Sequence, residues 1–117
     1  MTSSLDIAGE NQEADQTLML GNLRLNLESL RVTVEGRLVD LTYREFELLR
    51  ILVAQPERII PYEALAREMW GVAGRSAIRH LNVIVHRLRT KLSGFHPYAI
   101  ETVRGRGYGL LRASQVT

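Results

Sequence analysis

The spacing of apolar residues changes once along this chain, and that change restricts the fold more than any other feature. From Leu18 to Leu41 apolar side chains recur at every second position, in the runs Leu18/Leu20, Leu23/Leu25/Leu27, Val32/Val34 and Leu38/Val39/Leu41. A period of two sends successive side chains to opposite faces of a strand, so these runs predict four short strands sharing one apolar face. Gly21-Asn22, Glu28-Ser29 and Glu35-Gly36 fall between the runs and supply the turns. Beyond Thr42 the spacing becomes three and four, the period of a helix. Strands first and helices afterwards predict an α+β domain that opens with a four-stranded antiparallel meander.

Three helices follow. Thr42-Tyr43-Arg44-Glu45 has the form of a capping box, in which the threonine oxygen accepts the Glu45 N–H and the glutamate reaches back. Leu41 and Phe46 flank it as a hydrophobic staple. Phe46, Leu49, Leu52 and Val53 make the buried stripe of this helix, which must stop before Pro56. A second helix is predicted from Pro61 to Trp70, with Leu65 and Met69 inward and Gly71 as its stop. The third, about Ala77 to Leu92 with Ser76 as N-cap, is the most informative. Its core stripe is Ile78, Leu81, Val85, Leu88 and Leu92, at spacings of 3, 4, 3 and 4. The opposite face presents Arg79, Val83, His86, Arg87 and Thr90, with His80, Ile84 and Lys91 beside them.

After a loop at Ser93–Pro97, two strands are expected at about Ala99–Val103 and Tyr108–Leu111. Arg104-Gly105-Arg106-Gly107 joins them, with two glycines for the positive φ of a tight hairpin and two arginines at its tip. The expected organisation is an acidic tail or linker remnant over 1–16, one folded domain over 17–113, and a short C-terminal tail over 114–117.

Composition removes several function classes. The chain has 117 residues, 45% of them apolar and 24% charged, enough for one core. No apolar run approaches the roughly 18–20 residues that span a bilayer, and Met1–Gln16 lacks the basic start and apolar middle of a signal peptide. No membrane is expected as a partner, and a cytoplasmic location is. With no cysteine there is neither a disulfide nor a thiolate metal site. His80 and His86 stand six residues apart, off the spacing of a helical metal pair, so no metal is expected. Gly105-x-Gly107-x-Gly109 lacks the strand-to-helix context of a nucleotide loop. No Ser–His–Asp geometry is supported, so neither catalytic residues nor a cofactor are expected and the chain does not read as an enzyme. Trp70 reads as core at a helix end.

Charge is what remains. The net +2 divides into −4 over residues 1–16, −1 over 17–73 and +7 over 74–117. The basic third carries Arg75, Arg79, Arg87, Arg89, Lys91, Arg104, Arg106 and Arg112 against Glu101 alone. Such a field attracts polyanions and weakens with salt. The fourteen arginines against one lysine suit bidentate contacts to phosphate and guanine, or equally reflect G+C-rich coding.

The residues that identify this arrangement now stand in view. Leu41-Thr42-x-x-Glu45-Phe46-x-Leu48-Leu49 opens the first helix, and Tyr62-x-x-Leu65 leads to Met69-Trp70-Gly71. Arg79 and Val83 precede Val85-x-Arg87-Leu88-Arg89-x-Lys91-Leu92. Glu101-Thr102-Val103-Arg104-Gly105-x-Gly107-Tyr108 closes the chain's last hairpin. Over about Leu18–Leu111 this resembles the OmpR/PhoB-type effector domain of bacterial response regulators, a winged helix-turn-helix. The resemblance implies a four-stranded N-terminal sheet, three helices and a C-terminal hairpin wing that bind double-stranded DNA and regulate transcription at the bacterial nucleoid.

In that frame the third helix (77–92) enters the major groove, where each base pair is uniquely marked, and the wing (99–111) meets the minor groove. Arg87 is placed for a bidentate guanine contact and Val83 for a thymine methyl. Arg79, His86, Thr90 and Lys91 suit phosphates, and His80 suits a phosphate or a plain surface role. Arg104 resembles the family arginine that reaches the minor groove, Thr102 resembles a family phosphate contact, and Arg106 adds a further one. Departures stand on or beside the reading face. Asn82-Val83-Ile84 replaces a frequent Asp-Val-His, His86 replaces a second arginine, and His80 replaces threonine or serine, so no target sequence can be borrowed. The resemblance also implies head-to-tail dimers on direct repeats and contact with RNA polymerase through Gly71–Arg75. Such domains are usually joined to a receiver, for which 117 residues leave no room. The expectation is therefore an excised effector domain, or one regulated by other means. The rival readings are a winged helix used as a protein-interaction module and a nonspecific DNA binder.

Overall fold

A computed structural model of the chain describes residues 16–112. The tails expected at 1–16 and 114–117 lie outside the described residues, apart from Gln16, and so does residue 113 at the domain's expected end.

The alternating segment folds as a meander. Strands β1 (Thr17–Leu20), β2 (Leu23–Asn26), β3 (Arg31–Val34) and β4 (Arg37–Val39) pair antiparallel in chain order. The register lines up Leu18, Leu25, Val32 and Val39 across all four strands, and Leu20, Leu23 and Val34 in the next row inward. Leu23, Leu25, Val32, Val34 and Val39 are buried, and Leu18 and Leu20 pack against the same core. The intervening row, Met19–Arg24–Thr33–Leu38, falls on the other face, where Met19 and Leu38 are exposed.

Helix α1 (Tyr43–Val53) starts with the reciprocal cap that its sequence predicts. Glu45 N–H donates to Thr42 Oγ1 at 3.2 Å and Thr42 N–H to Glu45 Oε1 at 2.9 Å. Leu48 and Ile51 are buried in addition to the expected stripe, because α1 touches β1, α2, α3 and the last strand. Helix α2 (Tyr62–Trp70) begins one residue later than expected, with Pro61 as its N-cap, and ends on left-handed Gly71. Helix α3 (Arg75–Lys91) begins two residues early. Its N-cap is extended Gly74, whose carbonyl accepts Ile78 N–H at 3.1 Å, so Ser76 lies inside the first turn and does not cap. Glycine is itself a tolerated N-cap.

The wing strands β6 (Tyr98–Val103) and β7 (Gly107–Arg112) each run slightly beyond their expected bounds. They also gain a partner that the sequence pattern did not reveal. Strand β5 (Ile60–Pro61) pairs with β7, giving a sheet of order β5-β7-β6. That pairing corrects the role assigned to Gly107. Positive φ belongs to Gly105 at the turn, whereas Gly107 is needed because a Cβ there would stand 1.9 Å from the Ile60 carbonyl oxygen. Four ties fasten the first sheet to the exit of α3: Arg37 Nη2 donates to the Ser93 carbonyl (2.6 Å), Asn22 Nδ2 to that of Gly94 (2.9 Å), Asn22 N–H to that of His96 (3.1 Å), and His96 N–H to Asn22 Oδ1 (2.9 Å).

Candidate nucleic-acid interface

One side of α3 is held by the core. Ala77, Leu81, Val85 and Leu88 are buried, as is Leu92 at its C-cap, while Ile78 is half-buried. The other side faces solvent. Arg79, Val83, His86, Arg87 and Thr90 are all exposed, Val83 to 43%. Both arginines on which the sequence reading depends therefore point away from the domain. Thr90 donates its hydroxyl hydrogen to the His86 carbonyl one turn back, at 3.3 Å, near the long limit of such a bond.

The two flanks of this face lean on different parts of the fold. Along one, the exposed His80 ring stands 6.0 Å from the Trp70 ring at the end of α2, and Ile84 packs on the core. Trp70 is half-buried against the core, with the Arg44 guanidinium 5.6 Å from its ring centre. Lys91 closes this flank, and its ammonium donates to Glu45 Oε1 at 2.7 Å. Glu45 is 1% exposed. Burial pushes its carboxyl pKa up, but hydrogen bonds from Lys91 and Thr42 and the lysine charge outweigh this and hold it below the usual value. The cation assigned to phosphate is thus paired with a buried carboxylate, though its own side chain stays 37% exposed.

Along the opposite flank α3 meets the wing. Arg89 Nε donates to the Ile100 carbonyl at 2.9 Å and Nη2 to Thr102 Oγ1 at 2.6 Å. Arginine has no acceptor, so the exposed Thr102 hydroxyl is fixed as an acceptor toward Arg89 and keeps its own hydrogen for another partner. Tyr108, buried on β7, donates its hydroxyl to Asn82 Oδ1 and meets Tyr62 edge-on at 5.3 Å between ring centres. Burial raises the Tyr108 pKa, with Tyr62 adding to the rise and Arg89 opposing it, so the phenol stays protonated and remains a donor. At the tip, Arg104 and Arg106 are exposed, and Arg106 N–H closes the turn on the Val103 carbonyl at 2.9 Å.

The structure thus gathers Arg79, His80, Val83, His86, Arg87 and Thr90 on one helix and Thr102, Arg104 and Arg106 on the adjoining hairpin. Three further residues, outside the expected contact set, stand at this surface. Arg75, expected in a loop, is exposed in the first turn of α3, while Asn82 and Arg89 join helix to wing. A signal for them existed: Arg75, Arg79, Asn82, His86 and Arg89 repeat at 4, 3, 4 and 3 residues, a second stripe on the same helix. Among the described residues no group of three His, Cys, Asp or Glu is placed to hold a metal ion, and no helix is long and apolar enough to cross a membrane.

Known proteins share this fold. The family model described as "Transcriptional regulatory protein, C terminal" matches residues 36–110. The heme response regulator HssR of Staphylococcus epidermidis is 36% identical over 96 residues, which cover 81% of this chain and 43% of that protein. The chain accordingly spans less than half the length of this curated relative. The DNA-binding domain of Klebsiella pneumoniae RstA, solved in complex with the RstA box, superposes with a TM-score of 0.73 at 31% identity, covering 82% of this chain and 97% of that one. The DNA-binding domain of CpxR from E. coli superposes with a TM-score of 0.72 at 30% identity, covering 84% and 98%. By family match, by relatives and by fold, this chain belongs to the OmpR/PhoB-type winged-helix DNA-binding domains of transcriptional response regulators.

Proposed function

We propose that this domain recognises a particular double-stranded DNA sequence, with α3 in the major groove and the wing tip at the neighbouring minor groove. The observation that carries the reading is the two-sidedness of α3: an apolar stripe sunk in the core and, opposite it, exposed Arg79, Val83, His86, Arg87 and Thr90. Arg87 reads a guanine edge through its two parallel donors, and Val83 packs on a thymine methyl. Arg79, His80, His86 and Thr90 take phosphates, with Thr90 exchanging its weak bond to the His86 carbonyl for one to DNA. Thr102 donates its free hydroxyl hydrogen to a phosphate, Arg104 enters the minor groove and Arg106 adds a phosphate contact. Lys91 is left out of this set because Glu45 holds it. The crystallised complex of the RstA domain with its box supports the reading by likeness.

The same reading places the chain in the cytoplasm at the nucleoid, paired head to tail on direct repeats. It also gives the segment Gly71–Arg75, where Val72 is 60% exposed, to RNA polymerase. Selection from a random duplex pool tests the core of it, because it yields site, spacing and stoichiometry together. The selected duplex is expected to bind at least about a thousandfold more tightly than a scrambled one at physiological salt, with Arg87→Ala removing roughly 1–3 kcal/mol of that gap. Equal binding to both duplexes would leave a nonspecific binder. Negligible binding to either would favour a protein-interaction module, for which the exposed Val83 side chain is the supporting feature.

A further inference from the structure

The second stripe of α3 has a residue that carries no charge at any pH and is nonetheless oriented. Arg75, Arg79, Asn82, His86 and Arg89 are all exposed and follow one another at helical spacing, with Asn82 at the centre. Arg79 and His86 are its neighbours three residues before and four after, on the same surface of the helix. The Tyr108 hydroxyl, rigidly seated on β7, donates to Asn82 Oδ1, which fixes which end of the amide faces the wing. The Nδ2 group is turned the other way and has no partner among the described residues. An amide whose oxygen is already engaged still has two N–H donors to offer.

We propose that Asn82 is a DNA contact whose amide hydrogens bind a backbone phosphate at the seam between α3 and the wing. The inference rests on the DNA-binding reading above and adds a residue to it. A phosphate is the expected acceptor because Asn82 stands on the wing flank of the helix, in the stripe of Arg79 and His86, which the reading above gives to phosphates. The residue type is informative in itself. An aspartate at this position would accept the Tyr108 proton equally well but would offer a phosphate only negative charge. Asparagine keeps the tie to the wing and converts the outward half of the side chain from acceptor to donor.

The test uses the whole chain and its selected duplex. Asn82→Asp preserves an acceptor for Tyr108, so the domain should unfold at the wild-type midpoint while its affinity falls about tenfold or more, the size expected for a lost hydrogen bond to a charged group. Asn82→Ala is then titrated against duplexes carrying one neutral methylphosphonate at each position in turn. At a single position the two losses should fail to add, since both remove the same bond. Asn82→Asp binding within about twofold of wild type, or additive losses at every phosphate, would overturn the proposal. If Arg87→Ala still narrows the gap between duplexes in that case, the DNA-binding reading survives and the role of Asn82 alone falls. A wild-type domain with no such gap would overturn both.

Discussion

The two sheets are assembled from different materials. In the N-terminal meander β2 alternates buried and exposed positions, and its apolar rows run straight across the strands into the core. In the wing, Gly107, Tyr108, Gly109 and Leu110 of β7 are buried in succession. Tyr108 and Leu110 join the core, while Gly107 and Gly109 let the backbones of Arg58–Pro61 approach closer than any Cβ permits. Side-chain burial holds the first sheet, whereas in the second it is joined by bare backbone contact. The contrast separates what stabilises the domain from what it displays: the wing is fixed at its base by main chain and helix ties, which leaves its tip free to carry charge.

Four measurements would break or sharpen that contrast. Leu25→Ala empties a fully buried site in the first sheet and should cost about 3–5 kcal/mol in urea unfolding. Gly107→Ala removes nothing and adds one methyl, yet should cost about 2–3 kcal/mol by forcing β5 and β7 apart. A Gly107→Ala domain as stable as wild type would show that the glycine serves only the turn. Between the sheets lies the Glu45–Lys91 tie, and Glu45→Gln should cost about 1 kcal/mol near pH 6. Its pH dependence has a fixed sign. Because the folded-state pKa of Glu45 is lowered from 4.5, the unfolded chain binds more protons in the acid range. The stabilisation is therefore complete above that value and lost as pH falls through the folded-state pKa, so wild type and Glu45→Gln should converge in urea midpoint as the solution is made progressively more acid than 4.5. A pH-independent difference would count against the ionised pair. Smallest of all, Arg104→Ala and Arg106→Ala should each shift stability by no more than about 0.5 kcal/mol. Each should nonetheless lower the slope of log affinity against log salt by about one if it meets a phosphate or a groove edge.

How much was readable from the sequence follows the range of the forces involved. The four strands, the capping box of Thr42 and Glu45, and the Leu81–Val85–Leu88 stripe depend on residues a few positions apart, and their spacing declared them. Strand β5 was hidden because two residues, one of them proline, carry no periodicity and pair only with a partner more than forty residues downstream. The start of α3 shifted because Gly74 competed with Ser76, and that shift moved Arg75 onto the helix. Within the site, the exposed face of α3 was legible as the complement of its core stripe. The engagements of Lys91 with Glu45 (46 residues apart), Asn82 with Tyr108 (26) and Arg89 with Thr102 (13) were not, since each needs the tertiary fold to bring its partners together.

The length of α3 has one more consequence. Its 17 residues make a rod about 25 Å long, roughly twice the width of a B-form major groove. A straight rod and a groove that winds around a cylinder separate after a few base pairs, so the two ends of the helix cannot both be immersed. The last turn, where Arg89 grips the wing and Lys91 is tethered to Glu45, acts as a shaft that fixes the direction in which the rest of the helix points.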